Sequence, residues 1–238
     1  EKLMRVTKGR FLVARYRGGE IQNFTDPNAL RPLSEESREF KVLQVFGKVL
    51  TRKVWEPRDE IRVGEVLGLG RRVTTLPKGG IELVSSSVSP ITLRTVQASS
   101  FDLIRPNQFA LHSGSFVLHS TVKNSTIVIE APMVEVKLSC KDPFAFMAGI
   151  TTNGGVKIIG LLGETSLRSD GGKLVLLPGE LTFALSDGFS RKMNVELSTL
   201  LVSSTLLTDF EQPPVFLKKL RQQAMMQALR TRKRFLTL

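Results

Sequence analysis

Residues 127–140 read IVIEAPMVEVKLSC, and the way they fold decides the architecture. Val134, Val136, Leu138 and Cys140 alternate with Glu135, Lys137 and Ser139. Successive side chains of a β-strand point to opposite faces, so one row is expected to face a core and the other solvent. Cys140 is therefore expected to pack inward. A thiol nucleophile needs a base and a lowered pKa in a partly exposed site, and the chain has two histidines, His112 and His119, to offer. Free cysteine is also among the most buried residue types. A single cysteine makes no internal disulfide, so cysteine usage assigns no compartment.

The same period of two runs outward from Phe40 to Phe189, interrupted about every 8 to 12 residues by turn residues, as expected of a sandwich, barrel or roll. Strands are predicted near 41–50, 65–67, 72–75, 81–85, 91–97, 101–105, 108–112, 115–120, 125–129, 134–140, 144–148, 157–162, 165–169, 173–177 and 181–186. The turns LPKGG (76–80), TTNGG (151–155) and SDGG (169–172) supply residues that tolerate positive φ. Each inward Val, Ile or Leu contributes roughly 1.5 to 3 kcal/mol on full burial, enough in sum to hold the sheets without metal or disulfide. After Gly188 the pattern changes: Leu197, Leu200, Leu201 and Leu207 fit a short helix, expected to cap the end of the roll and cover its strand edges. From Pro214 to Arg232 the spacing 217, 220, 224, 228 predicts a second helix with cations at its C-terminal end. The expected fold is mainly β, an elongated antiparallel β-sandwich or β-roll, solenoid-like, with a C-terminal α-helix. Its parts are a basic extended arm over 1–40, a β domain over 41–190, and a helical cap with a basic tail over 191–238.

The charge is concentrated at the ends. Residues 1–17 carry six basic residues against Glu1, and residues 211–238 carry seven against Glu211. The ends thus hold +11 of the formal +12, leaving a nearly neutral body at +1, which argues against a diffuse nucleic-acid-binding face there. Both basic ends carry apolar residues as well, so they read as docking surfaces. The candidate partner-binding residues are Arg10, Phe11, Val13, Arg15, Tyr16 and Arg17 in the first, and Leu217, Lys218, Leu220, Arg221, Arg230, Arg232, Lys233 and Arg234 in the second. The apolar stripe of the second helix is expected to pack mainly on its own domain. Protein partners or self-assembly are the expected partners. A membrane surface is the other class that such arms can meet, though no segment reaches the roughly 20 apolar residues of a spanning helix.

No catalytic constellation emerges, and no enzyme activity, cofactor or metal is expected. His112 and His119 lie seven apart without the ligand spacing of a zinc site, and both read as surface histidines. Ser113 and Ser115 flank His112 without a nucleophile-elbow motif. GLGRR (68–72) lacks the following helix that a phosphate-binding loop requires. Glu164, Asp170, Glu180 and Asp187 edge turns, where carboxylates commonly cap backbone amides.

Residues 47–180 resemble the FecR domain, the exported β domain of ferric-citrate-type signalling regulators and of stand-alone envelope proteins. The resemblance rests on GEVLGLGRRVTTLPKGGIELV (64–84), IVIEAPMVEVKL (127–138), and VKIIGLLGETSL (156–167) followed by LVLLPGEL (174–181). Ala131 stands where that family usually has threonine, and Ser139-Cys140 where Gly-Thr is usual. These are turn and core positions, so they speak to fold more than to activity. The resemblance implies a periplasmic, envelope-associated or extracellular protein that works by contact, and a first residue Glu1 suits a mature chain after signal removal or a trimmed one. The expected function is a non-enzymatic interaction module fastened through its basic ends to partner subunits. A regulatory sensor domain, or binding of an anionic polymer or nucleic acid through the termini, are the alternatives. The signalling members carry a cytoplasmic segment and a membrane helix ahead of the domain, so signalling to a sigma factor is not implied here.

Overall fold

The computed structural model describes residues 39–53 and 56–236, all within one unit, Glu36–Leu238. Its strands are β1 (Glu39–Phe46), β2 (Val49–Arg52), β3 (Asp59–Glu60), β4 (Val66–Gly68), β5 (Arg72–Thr75), β6 (Gly80–Ser85), β7 (Thr92–Val96), β8 (Ser100–Arg105), β9 (Gln108–Ser113) and β10 (Ser115–Ser120). They continue as β11 (Ser125–Glu130), β12 (Glu135–Cys140), β13 (Phe144–Ile150), β14 (Val156–Leu162), β15 (Thr165–Ser169), β16 (Gly172–Leu176), β17 (Glu180–Leu185), β18 (Gly188–Phe189) and β19 (Met193–Asn194). Three helices follow, α1 (Leu197–Ser203), α2 (Thr205–Thr208) and α3 (Leu217–Leu236).

The expectation of a mainly β chain holds. The strands form two stacked sheets, neither closed into a barrel. One runs β18-β17-β14-β13-β10-β7-β6-β1-β4, with β19 also on β17; the other runs β16-β15-β12-β11-β9-β8-β5-β2-β3. The chain lays a hairpin in one sheet and then one in the other: β6–β7 in the first, β8–β9 in the second, β13–β14 in the first, β15–β16 in the second. The stretch 127–140 is such a hairpin, with Ile127 opposite Leu138 and Ile129 opposite Val136, closed by Ala131 N–H donating to the Val134 carbonyl at 2.9 Å. Its inward residues, Cys140 included, join one apolar core with Phe40, Phe101, Phe109, Phe116 and Phe146. The Cys140 thiol donates to Thr165 Oγ1 at 3.6 Å, and burial pushes its pKa up to about 11.

Four expectations need correction. The strand expected over 41–50 is two strands in different sheets, because Gly47 turns the chain at φ +59 against the backbone of Lys78 and Gly79, where a Cβ would lie 2.3 Å from the Lys78 carbonyl oxygen. The ladder between β9 and β11 is parallel, since the chain crosses to the other sheet through β10 before returning. The helical segment expected around 197–207 is broken into α1 and α2 at Ser204, which is extended at ψ 110. The helices, finally, do not cap an end. They cover the outer face of the first sheet, where Val96, Val117, Ala145, Met147, Ile159 and Leu161 pack on Leu197, Leu206, Leu207, Phe210, Phe216, Leu220 and Ala224. That sheet is apolar on both faces, as FAFMAGI (144–150) and VKIIGLL (156–162) show, and needs a second cover. The other sheet alternates buried and exposed residues and meets solvent on its outer face.

Candidate functional site

Each outer face carries a row of polar side chains aligned across strands. On the covered sheet, Gln44, Glu82 and Arg94 stand directly opposite one another on β1, β6 and β7. Glu82 accepts from Arg94 Nη2 at 2.9 Å and from Gln44 Nε2. The segment before α3 closes over this row: Arg94 Nη2 donates to the Gln212 carbonyl at 2.9 Å, Gln212 N–H donates to Gln44 Oε1 at 2.9 Å, and the guanidinium lies 4.2 Å from the centre of the Phe210 ring. The side chain of Arg94 is 3% exposed. Burial lowers its pKa, and the charge and hydrogen bond of Glu82 act in the opposite direction.

His119, on β10, lies under the same cover and is 5% exposed, with its ring 5.1 Å from that of Phe216. The expectation of a surface histidine is therefore wrong for His119; Phe216 covers it. Burial first, and the positive charge of Arg94 second, push its pKa down to about 4. Neither His119 Nε2 nor Arg94 Nη1 has a hydrogen-bond partner among the described residues. His112 is exposed, as expected.

Burial of charge at this depth needs pairing, and what the pairing achieves here is attachment. It ties Gln212, and with it the start of α3, to the sheet. Leu220 is 0% exposed and Ala224 is buried on the same sheet. Gln227 completes the anchorage: its Nε2 donates to the Val195 carbonyl at 2.8 Å and its Oε1 accepts from Leu197 N–H at 2.9 Å. The amide sits over Gly179, where φ is +81 and a Cβ would come within 2.5 Å of Gln227 Nε2.

Past Gln227 the helix continues to Leu236, and no hydrogen bond to the body follows Gln227 among the described residues. Ala228, Leu229, Arg230 and Arg232 are exposed, as are Met225 at 68% and Met226 at 50%. The candidate residues of this helix thus separate. Leu220 belongs to the domain's own core and Leu217 is half-buried, whereas Lys218, Arg221, Arg230 and Arg232 are exposed. Of the expected apolar stripe, 220 and 224 pack inward and 228 does not. Lys233 and Arg234 continue the helical backbone, and their side chains lie outside the described residues. So do Arg10, Phe11, Val13, Arg15, Tyr16 and Arg17, with nearly all of the arm over 1–40. No helix among the described residues is long and apolar enough to cross a membrane.

On the open sheet, Arg72 on β5 holds Asp102 on β8 bidentately, Nε to Oδ1 at 2.6 Å and Nη2 to Oδ2 at 2.8 Å. His112 Nε2 lies 2.8 Å from Asp102 Oδ2 and 2.9 Å from Arg72 Nη2. Burial works against the charge of Asp102, but the hydrogen bonds from Arg72 and His112 outweigh it and hold the carboxyl below its ordinary value. No nucleophilic side chain joins this cluster among the described hydrogen bonds.

Sequence reasoning missed both rows. Their members lie 12 to 50 residues apart on the covered sheet and 10 to 40 on the open one, so only sheet register brings them together. The unbroken apolar runs of β13 and β14 were a readable sign that one sheet needs a cover on each face. Compared with protein-family models and with curated proteins, the chain matches none.

Proposed function

We propose that this protein is a non-enzymatic interaction module of the cell envelope, in which the double sheet is the body and the distal half of α3 is the docking element. One observation carries the reading. A 20-residue helix is fixed to the body through residue 227, exposes Met225 and Met226 just before that point, and runs on with Leu229, Arg230 and Arg232 exposed. Burying the exposed Met225, Met226 and Leu229 against a partner would remove apolar surface from water and stabilise the contact. The segment's chemistry names the partner's. Arg230, Arg232, Lys233 and Arg234 with no acidic residue across α3 fit a protein groove that is apolar at its floor and acidic at its rim, read as a helix-in-groove contact. A second copy's α3 would repel it. The placement in the envelope is supported by the resemblance of residues 47–180 to FecR domains.

The test is site-specific photocrosslinking in the cells that make the protein. A crosslinker at Leu229 is expected to give one adduct of defined mass, lost in the Arg230→Glu/Arg232→Glu variant, while the same group at Lys137 on the open sheet gives none. Absence of an adduct at Leu229, or equal adducts at both positions, would overturn the proposal. A steep loss of binding with salt that leaves no protein adduct would favour an anionic polymer instead.

A further inference from the structure

The nearly neutral body conceals a concentrated positive site. On the outer face of the open sheet Arg52 of β2 stands directly opposite Arg72 of β5, and Arg72 stands opposite Asp102 of β8. On the other side of β2, Thr51 pairs with Asp59 of β3, so one step along this register sets Arg58 across from Arg52. Three arginines thus form one row, Arg52 and Arg72 on the adjacent strands β2 and β5 and Arg58 just ahead of β3. Like charges directly opposite on a sheet are destabilising, and among the described residues one carboxylate, Asp102, pairs with the row, at Arg72. Glu56 lies 3.9 Å from the neighbouring Arg71. Arg52 and Arg58 are exposed and make no ion pair among the described residues.

The row lines a cleft of about 220 Å³ with Thr74 and Ser100, whose hydroxyls lie 3.4 Å apart on the next row of the ladder. Asp102 occupies Nε and Nη2 of Arg72 and thereby fixes its guanidinium. Its Nη1 makes no hydrogen bond among the described residues. The cleft therefore offers planar donors from three guanidinium groups and two hydroxyls. Arginine forks match the oxygen geometry of phosphate. The volume is below the roughly 300–1,000 Å³ of pockets for drug-sized ligands, which suits one headgroup rather than a large molecule.

We propose that this cleft is an oxyanion-binding site for a phosphate group, held by Arg52, Arg58 and Arg72 with Thr74 and Ser100. It is independent of the α3 reading, because it lies on the opposite outer face of the sandwich. Free phosphate and a phospholipid headgroup present the same chemistry, and the experiment separates them. The full chain is titrated with inorganic phosphate by calorimetry and by arginine Nε–H NMR, and separately with vesicles of phosphatidylglycerol against phosphatidylcholine. Binding is expected to fall about tenfold or more in Arg52→Ala and in Arg58→Ala, and to be unchanged in Lys173→Ala, an exposed lysine on β16 of the same sheet. Phosphate binding alone assigns a free phosphate, and vesicle binding lost in the same two variants assigns the headgroup. Phosphate-free thermal melts give a second readout: a row kept for a ligand is relieved by truncation, so Arg52→Ala should melt no lower than wild type. Absence of binding to both probes, binding indifferent to Arg52 and Arg58, or a lowered melt in Arg52→Ala would overturn the proposal.

Discussion

The molecule contains the same chemical trio twice. Glu82, Arg94 and His119 lie on the outer face of one sheet, and Asp102, Arg72 and His112 on the outer face of the other. The first trio is under the helical cover, with the Arg94 and Glu82 side chains 3% and 7% exposed; the second faces solvent, with Arg72 and His112 at 36% and 37%. What separates them is the layer above. An apolar sheet face draws down a helical cover, and polar groups trapped beneath it must be paired or neutral. On the face without a cover, Arg72, Asp102 and His112 pair with one another in contact with solvent. A carboxylate, an arginine and a histidine thus anchor a segment under the cover in one place and stand at the solvent surface in the other.

The sharpest way to break this comparison is to remove one partner of the buried pair. Glu82→Ala leaves Arg94 without its carboxylate under Phe210 and should cost about 3–5 kcal/mol by denaturant unfolding; a cost under about 1 kcal/mol would mean that water reaches the pair. Leu220→Ala should cost about 2–5 kcal/mol, the range for a buried leucine, whereas the same truncation at exposed Leu229 should leave stability nearly unchanged. Equal effects would deny the division of α3 into anchored and projecting halves.

The buried trio should also respond to pH. His119 titrates near 6.5 when unfolded and at about 4 when folded. Between those values the unfolded chain binds the extra proton, so stability falls as pH drops from 6.5 towards 4 and is fully present above 6.5. The shift corresponds to about 3 kcal/mol. It is read as the difference between wild-type and His119→Leu unfolding free energies across that range, which should shift in favour of the variant as the pH is lowered. A pH-independent difference would mean that His119 is solvated. The exposed trio sets the small end of the scale. Asp102→Asn should cost under about 1 kcal/mol, and less at high salt.

How much of this could be read from the chain follows from the range over which each signal acts. Alternation in 134–140 is local, and it placed Val136, Leu138 and Cys140 in the core. The helix of α3 is local too, through the spacing of Leu217, Leu220 and Ala224. The assignment of successive hairpins to two sheets is not local: Gly47 redirects the chain by meeting Lys78, thirty-one residues on. The side on which the helices land was only half legible, since β13 and β14 announce two buried faces without saying what covers the second. The arginine row was illegible, because Arg52, Arg58 and Arg72 are scattered in a segment whose charges nearly cancel, and sheet register alone lines them up. Net charge counts residues and not positions.

Where α3 ceases to be held can be read residue by residue by amide hydrogen exchange of the purified full chain. Protection should extend from Leu220 to about Gln227 at a level near that of β10 and β13, then fall towards that of an unsupported helix from Leu229 to Leu236. Uniform strong protection through Leu236 in the isolated chain would show the distal half already packed against this protein, and would contradict its role as the element that meets a partner.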